Sequence, residues 1–205
     1  MRRAAMVAVL IGILVAAGCS KRVEIAQEPG VEQQPGATWT VVSADGLDEA
    51  QMKQQQHAQE AIQAMASRLM GELTAALDDG GPDAGIEVCS VRAPEISAAV
   101  ANEFGVHLGR TSFKLRNRSN LPPEWAERLV DLRTAEPTWL VGPNGELAGL
   151  IPIRLKAECS MCHGPREQIS DEVLAKIDDY YPDDEAVGFA EGDLRGWFWV
   201  ETPSS

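Results

Sequence analysis

The segment Cys159-Ser160-Met161-Cys162-His163 holds the residues of this chain whose types and spacing best suit a chemical role. Two thiols separated by two residues, with a histidine directly after the second, are the attachment signature of a c-type haem. One tight turn presents both sulfurs to the two vinyl groups of a porphyrin, and the adjoining imidazole can bind the iron. The spacing therefore predicts haem c, attached through Cys159 and Cys162, with His163 as an axial ligand.

Two other chemistries use a CxxC pair, and both suit this chain less well. A structural zinc site needs a second pair of ligands, and the sequence has no further CxxC and no HxxxH. A thioredoxin-like dithiol lies between a strand and a helix of a βαβ unit, whereas this pair comes late in the chain, after a predicted hairpin. A bare redox or metal-binding CxxC is thus the alternative to haem.

The first 18 residues have the pattern of an export signal, as a c-type haem protein requires. A basic start at residues 1–3 precedes an apolar run at residues 4–17, which is too short for a comfortable membrane span. The run ends before Cys19 at a site that resembles a bacterial lipoprotein cleavage site, so Cys19 is predicted to carry lipid. We expect an exported, periplasmic-side, membrane-anchored lipoprotein, and Ser20 suits the outer membrane. The alternative is an ordinary signal peptide with an incidental cysteine.

The charge of the chain restricts its partners. Its formal net charge is −13, and cleavage of the signal would remove two arginines and no acid. Such a polyanion should not bind nucleic acid and should be repelled by anionic headgroups, so membrane attachment would depend on the lipid alone. The acidity favours a redox or signalling partner with a basic surface.

Composition and periodicity divide the rest of the chain into a linker and one domain. Residues 19–46 are rich in Glu, Gln, Pro and Gly without an apolar period, which predicts a flexible linker. Residues 47–205 form a segment long enough for a core and a buried cofactor. Its first half is helical: a long apolar stripe ends at Gly80-Gly81-Pro82, a short helix follows near 86–89, and a third runs from Pro94 to Phe104.

The second half of this domain is mostly extended. The predicted strands are 106–114, 138–141, 147–153 and 197–200, and a Gly-Pro-Asn-Gly turn at 142–145 joins the middle two. Short helices are predicted at 123–132 and 170–176, and an acidic loop spans 181–193. Helices followed by an antiparallel meander predict an α+β domain.

Four segments in the same order resemble a family of single-haem c-type proteins with a PAS-like domain, whose members are exported cytochromes or sensing parts of bacterial histidine kinases. The segments are 85–94, 109–120, 158–164 and 181–196. The resemblance implies a PAS-like antiparallel sheet, with N-terminal helices packed around a covalently bound haem. It also implies a cysteine thiolate as the second axial ligand, at the position of Cys89.

The other cysteines support the same assignment. If Cys19 carries lipid and Cys159 and Cys162 form thioethers, Cys89 is left as a single free thiol in an oxidising compartment, where such a thiol is a liability. The alternative is a small buried apolar residue. Taken with the resemblance, we expect Cys89 to bind iron opposite His163. The other candidates for that position are Met65, Met70 and His107.

Basic residues cluster at 110–118 within this otherwise acidic chain. Haem carries two propionates, and arginine forks suit carboxylates, so Arg110 or Arg116 is predicted to pair with a propionate. The alternative is salt bridges that stabilise the loop, with turn hydrogen bonds from Asn117 and Asn120. The acidic loop is expected to lie over the haem edge; its Asp spacing does not follow the EF-hand pattern, so no metal is expected there.

These expectations describe an exported, lipid-anchored monohaem c-type cytochrome with His163/Cys89 ligation, acting in electron transfer or redox sensing. Two axial protein ligands leave no open coordination position, which disfavours an enzyme, and a thiolate predicts a low reduction potential. The alternative is a sensor of a gas such as CO or NO that signals through a partner protein. A peroxidase or thiol oxidoreductase is less compatible, because no distal His/Arg pair or second redox cysteine is evident.

Overall fold

The computed structural model describes residues 38–204, so the predicted signal peptide, the lipidation site Cys19 and most of the predicted linker lie outside the described residues. Within that range no helix is both long and apolar enough to cross a bilayer. The strands are β1 (Thr40–Val42), β2 (His107–Thr111), β3 (Thr138–Val141), β4 (Leu147–Arg154) and β5 (Leu194–Thr202). The α-helices are α1 (Glu49–Glu87), α2 (Ala93–Phe104), α3 (Glu124–Asp131), α4 (Ser160–His163) and α5 (Asp171–Tyr180).

The long helix α1 begins at a capping box and bends at a glycine. The Asp48 side chain accepts a hydrogen bond from the Gln51 amide at 2.8 Å, and the Gln51 side chain accepts one from the Asp48 amide at 2.9 Å. The helix breaks at Gly81, whose φ of 67° lies in the left-handed region. The prediction that the first helix ends at Gly80-Gly81-Pro82 is therefore correct in that the helix axis changes direction there.

The separate short helix predicted near 86–89 is wrong, because the chain stays helical from Pro82 onward. A π-helical turn at Val88–Arg92 leads from α1 directly into α2. Proline at the start of α2 fits its first turn, where an amide hydrogen is not needed, and Gly105 ends the helix with a φ of 64°. The helical path from Pro82 onward brings Cys89 to the junction between the end of α1 and the start of α2.

All five strands form one antiparallel sheet in the order β1-β3-β4-β5-β2. The predicted hairpin is confirmed, with Trp139 opposite Gly149. Strand β1 pairs with β3 although it lies within the segment assigned to the linker, so the sheet begins before the predicted boundary at residue 47. Three residues are too few to produce a visible period of two, and β1 is defined by its partner strand.

The two faces of the sheet carry different helices. Helices α1 and α2 pack on one face, where Met65 and Val100 meet Leu147 and Val200. Side chains alternate along a strand, so Leu150 and Trp197 lie on the other face, which α3 covers. A separate cluster joins α5 to the end of α1; its members are Ile86, Ile169, Val173, Ile177 and Tyr181. That cluster contacts Cys162 and so anchors the CxxCH segment.

Candidate functional site

A cavity of about 360 Å³ opens where the sheet, the second half of α1 and the CxxCH segment meet. This volume lies in the range of roughly 300–1,000 Å³ usual for small-molecule and cofactor sites. Its wall is largely apolar and includes Leu69, Leu73, Leu77, Ile86, Ile153 and Phe198. Six predicted cofactor residues also line it: Cys89, Arg110, Arg116, Cys159, Cys162 and His163. The fold thus brings residues separated by up to 74 positions to one place.

The two motif cysteines lie on consecutive helical turns. A 3₁₀ turn at Ala157–Cys159 continues into α4, so Cys159 and Cys162 are three residues apart on a helical path and project to one side. Both thiols are free and half-buried. Burial raises the pKa of each above that of an ordinary thiol, which keeps both protonated at neutral pH.

The His163 imidazole is held in a single orientation by the backbone. Its Nδ1 lies 2.7 Å from the carbonyl oxygen of Ala186, which can only accept a hydrogen bond. Nδ1 therefore carries the proton, and the lone pair of Nε2 is free. Burial, followed by the positive charges of Arg195 and Arg116, lowers the pKa of His163 well below 6.5. A neutral imidazole with a free Nε2 is the form that binds iron.

The acidic loop 181–193 lies against the backbone of the CxxCH segment. The amide of Gly188 donates to the Gly164 carbonyl at 2.8 Å, and the amide of Phe189 donates to the His163 carbonyl at 3.0 Å. The Lys114 ammonium group fastens the loop from the other side by donating to the Val187 carbonyl at 3.0 Å. The loop therefore supports His163. Within residues 38–204, no cluster of three or more acidic, histidine or cysteine side chains is suited to a metal ion.

Arg116 and Asp184 form a bidentate ion pair. Its Nε and Nη2 donate to the two carboxylate oxygens at 3.0 and 3.1 Å. Nη2 also donates to the Cys162 carbonyl at 2.6 Å. Both side chains are almost fully buried, with 9% and 3% of their surface exposed. Arg116 thus forms the salt bridge that was the alternative to a propionate partner, and a propionate contact of Arg116 stays a prediction.

Two arginines in the cavity wall have unsatisfied donors. The side chain of Arg110 makes no hydrogen bond or ion pair with any residue from 38 to 204. Burial lowers the pKa of its guanidinium group. Arg195, which the sequence analysis did not select, donates through Nη1 to Ser112 Oγ at 2.8 Å and to the Lys114 carbonyl at 3.1 Å. Its Nε is buried without a partner.

The candidates for the second axial ligand differ in whether they line the cavity. Cys89 is half-buried on the π-helical turn and lines the cavity. Met65 belongs to the core, with 1% of its surface exposed, and His107 is exposed at the start of β2, outside the cavity. Met70 lines the cavity and stays an alternative to Cys89.

The residues of this cavity fit the requirements of a c-type haem. Apolar walls suit a porphyrin, a neutral imidazole with a free nitrogen suits its iron, and unpaired guanidinium groups suit its carboxylates. Two protonated thiols at CxxC spacing suit the vinyl groups.

Comparison with known proteins places the chain in a family. The profile of the Tll0287-like family (Tll0287) matches residues 39–203. A solved structure described as "Crystal structure of the cyanobacterial heme-protein Tll0287" is 20% identical and has a TM-score of 0.57, covering 78% of this chain and 98% of that one. No curated protein matches. The structural likeness confirms the predicted α+β fold, and the profile confirms the resemblance found in the sequence: the chain belongs to the Tll0287-like family.

Proposed function

We propose that this protein is an exported, lipid-anchored monohaem c-type cytochrome that acts in electron transfer or redox sensing. Its haem would be attached to Cys159 and Cys162, with His163 and Cys89 as axial ligands. The observation that carries this proposal is that Cys89 and the CxxCH segment, distant in sequence, line one apolar cavity. The similarity to a cyanobacterial haem protein supports the same cofactor.

The thiols of Cys159 and Cys162 supply the covalent attachment. Each S–H would add across one vinyl C=C bond of the haem, so that a C–S bond would form and the thiol hydrogen would pass to the other vinyl carbon. This addition needs no net oxidant or reductant. The half-buried positions of both thiols, three residues apart on a helical path, support their action as a pair.

The ligand pair His163/Cys89 would leave no coordination position for a substrate, which favours electron transfer or sensing over catalysis. The hydrogen bond from Nδ1 to Ala186 supports His163 as a strong, fixed donor. A thiolate stabilises ferric iron, so the reduction potential should be low compared with that of His/Met cytochromes.

The acidic sequence and the N-terminal pattern support the cellular setting. Lipid on Cys19 would tether the domain to the periplasmic side of a membrane, and a strongly negative chain favours a partner with a basic surface. Nucleic acid is disfavoured by the same charge.

The decisive experiment is the ferric spectrum of haem-loaded protein matured in a host that attaches c-type haem. Absorption and electron paramagnetic resonance should show a low-spin ferric haem, and Cys89→Ser should shift it toward high spin. Met70→Leu is the matched control and should leave the spectrum unchanged. An unchanged Cys89→Ser spectrum, together with an altered Met70→Leu spectrum, would reassign the ligand to Met70.

A second candidate function is gas sensing, in which Cys89 leaves the iron on reduction and CO or NO takes its place. The observation that favours it is the π-helical turn that carries Cys89, since such turns occur often at functional sites and interrupt regular helical packing. Adding CO to the reduced protein separates the two functions. A changed spectrum supports sensing, and an unchanged one supports electron transfer.

A further inference from the structure

We propose that Arg110 and Arg195 together bind the two haem propionates within the protein, and that a β-bulge aims Arg195 at this position. This inference rests on the proposed haem site and names the residues that hold the acidic edge of the haem. It adds a residue, Arg195, to which the motif analysis assigned no role.

The bulge lies at the end of β5 that borders the cavity. Ile153 of β4 is opposite Gly196, but the next residue, Arg154, is opposite Leu194, so Arg195 is an extra residue in the pairing. In a regular strand Arg195 would face away from the side shared by Gly196 and Phe198. A bulge redirects the side chain of its extra residue, and Arg195 does line the cavity together with Phe198.

The hydrogen bonds of Arg195 leave part of its guanidinium group without an acceptor. Ser112 and the Lys114 carbonyl accept from Nη1, whereas Nε is buried and unpaired. Burial and, to a smaller extent, the nearby charges of Arg116 and Arg110 together lower the pKa of Arg195 to about 10. A buried donor without a partner is costly, which indicates that an acceptor completes this site.

Arg110, on the neighbouring strand, is half-buried and also lacks a partner among the described residues. It lies opposite Phe198 in the pairing of β2 with β5, and its side chain makes no hydrogen bond or ion pair with the described residues 38–204. Arg116 differs from both, because Asp184 neutralises it. Four arginines line the cavity: Arg154 is exposed and Arg116 is neutralised, whereas Arg110 and Arg195 pair with no carboxylate of the described residues.

The net charge of a ferric haem matches the two positive charges of Arg110 and Arg195. In the ferric state the iron charge is balanced by the ring and one thiolate, which leaves the two propionates as the net charge of −2. The other charged residues of the lining are exposed and lie outside this count: Arg154, Lys156 and Glu158. A guanidinium fork and a carboxylate form two parallel hydrogen bonds, so each arginine can bind one propionate.

The test compares mesohaem with mesohaem dimethyl ester, using the full mature chain without haem and with its cysteines reduced. Mesohaem has ethyl groups in place of vinyls, so binding is reversible, and the ester lacks both carboxylates. Absorption titrations should show a preference for the free acid of roughly 10- to 100-fold for each buried pair. Arg195→Gln or Arg110→Gln should each remove one such factor. Arg118→Gln, which breaks an exposed pair with Glu185, is the matched control and should retain the full preference.

The outcomes separate this inference from the proposed function. A wild-type chain that binds neither compound overturns the haem proposal, whereas one that binds both equally overturns only the propionate inference. An unchanged preference in Arg195→Gln removes Arg195 from the site. If circular dichroism shows that Arg195→Gln is unfolded, Arg195→Lys decides: its single ammonium group should lower the preference, and an unchanged value overturns the proposal. In matured protein, the propionate bands of the resonance Raman spectrum should shift in Arg195→Lys and stay constant in Arg118→Gln.

Discussion

Replacing Asp184 by alanine should destabilise this protein strongly and disturb the proposed haem ligation. Asp184 is 3% exposed and accepts hydrogen bonds from Arg116 Nε, from Arg116 Nη2 and from the Ala186 amide, the last at 2.9 Å. Without Asp184, the buried Arg116 keeps its charge beside Arg110 and Arg195. Ala186, whose carbonyl accepts from His163, also loses the acceptor of its amide.

The size of the effect follows from the burial of the pair. Removing one partner of a buried ion pair costs about 3–5 kcal/mol, because the remaining charge stays desolvated. For a domain of this length, 1 kcal/mol corresponds to a shift in Tm of roughly 2–4 °C. Asp184→Ala should therefore lower the Tm by about 6–20 °C.

The neighbouring residue provides a matched control. Glu185 pairs with Arg118, but both side chains are about half exposed, at 51% and 54%. Such a pair contributes at most about 1 kcal/mol, so Glu185→Ala should lower the Tm by no more than about 4 °C. Thermal unfolding of the two haem-loaded variants, followed by circular dichroism and by the ferric spectrum, compares them directly.

The ferric spectrum tests the link to His163. Because Ala186 accepts from Nδ1 at 2.7 Å, movement of this peptide should broaden or split the ferric signals in Asp184→Ala and leave Glu185→Ala unaffected. Replacing both members of the pair, as in Arg116→Met with Asp184→Leu, should recover part of the lost stability by removing the stranded charge. Equal Tm values for Asp184→Ala and Glu185→Ala would refute this reasoning.

Three further predictions concern packing, attachment and ionisation. A Cβ at Gly196 would overlap the backbone oxygen of Thr111, so Gly196→Ala should lower the free energy of unfolding by about 1–3 kcal/mol in a denaturant titration. Gly71 is an exposed position of α1 with open space around it, so Gly71→Ala should raise that free energy by about 0.4–1 kcal/mol. The opposite order of stability would contradict the packing. Cys19→Ser should move the exported protein from the membrane to the soluble fraction, and continued membrane association would argue against lipidation. Burial raises the pKa of Tyr181 from 10.0 to about 12, so its contribution to stability is present below pH 10 and is lost as pH rises through about 12. In ultraviolet titrations, the difference between the wild type and Tyr181→Phe should therefore appear near pH 12, and a difference near pH 10 would disprove this.

Local signals in the sequence were sufficient for much of the fold. The Gly-Pro-Asn-Gly turn, the proline at the start of α2 and the glycine at its end each act within a few residues, so their positions in the structure agree with prediction. The CxxCH spacing is equally local, because one helical turn determines how Cys159 and Cys162 project. Strand β1 escaped prediction because its three residues carry no period of their own and depend on pairing with β3.

Tertiary structure decided which residues lie beside the CxxCH segment. Cys89 lies 70 positions before Cys159, and the helical path from Pro82 through the π-helical turn brings it to the same cavity. Sequence could not decide which arginine would be neutralised, because the ion pair of Arg116 depends on how the loop 181–193 folds back. Arg195 would face the wrong side of an ordinary strand, and one extra residue in the pairing reverses it. Residue type and short spacing thus predict the chemistry of the CxxCH segment, whereas packing between distant segments decides which other side chains line the cavity beside it.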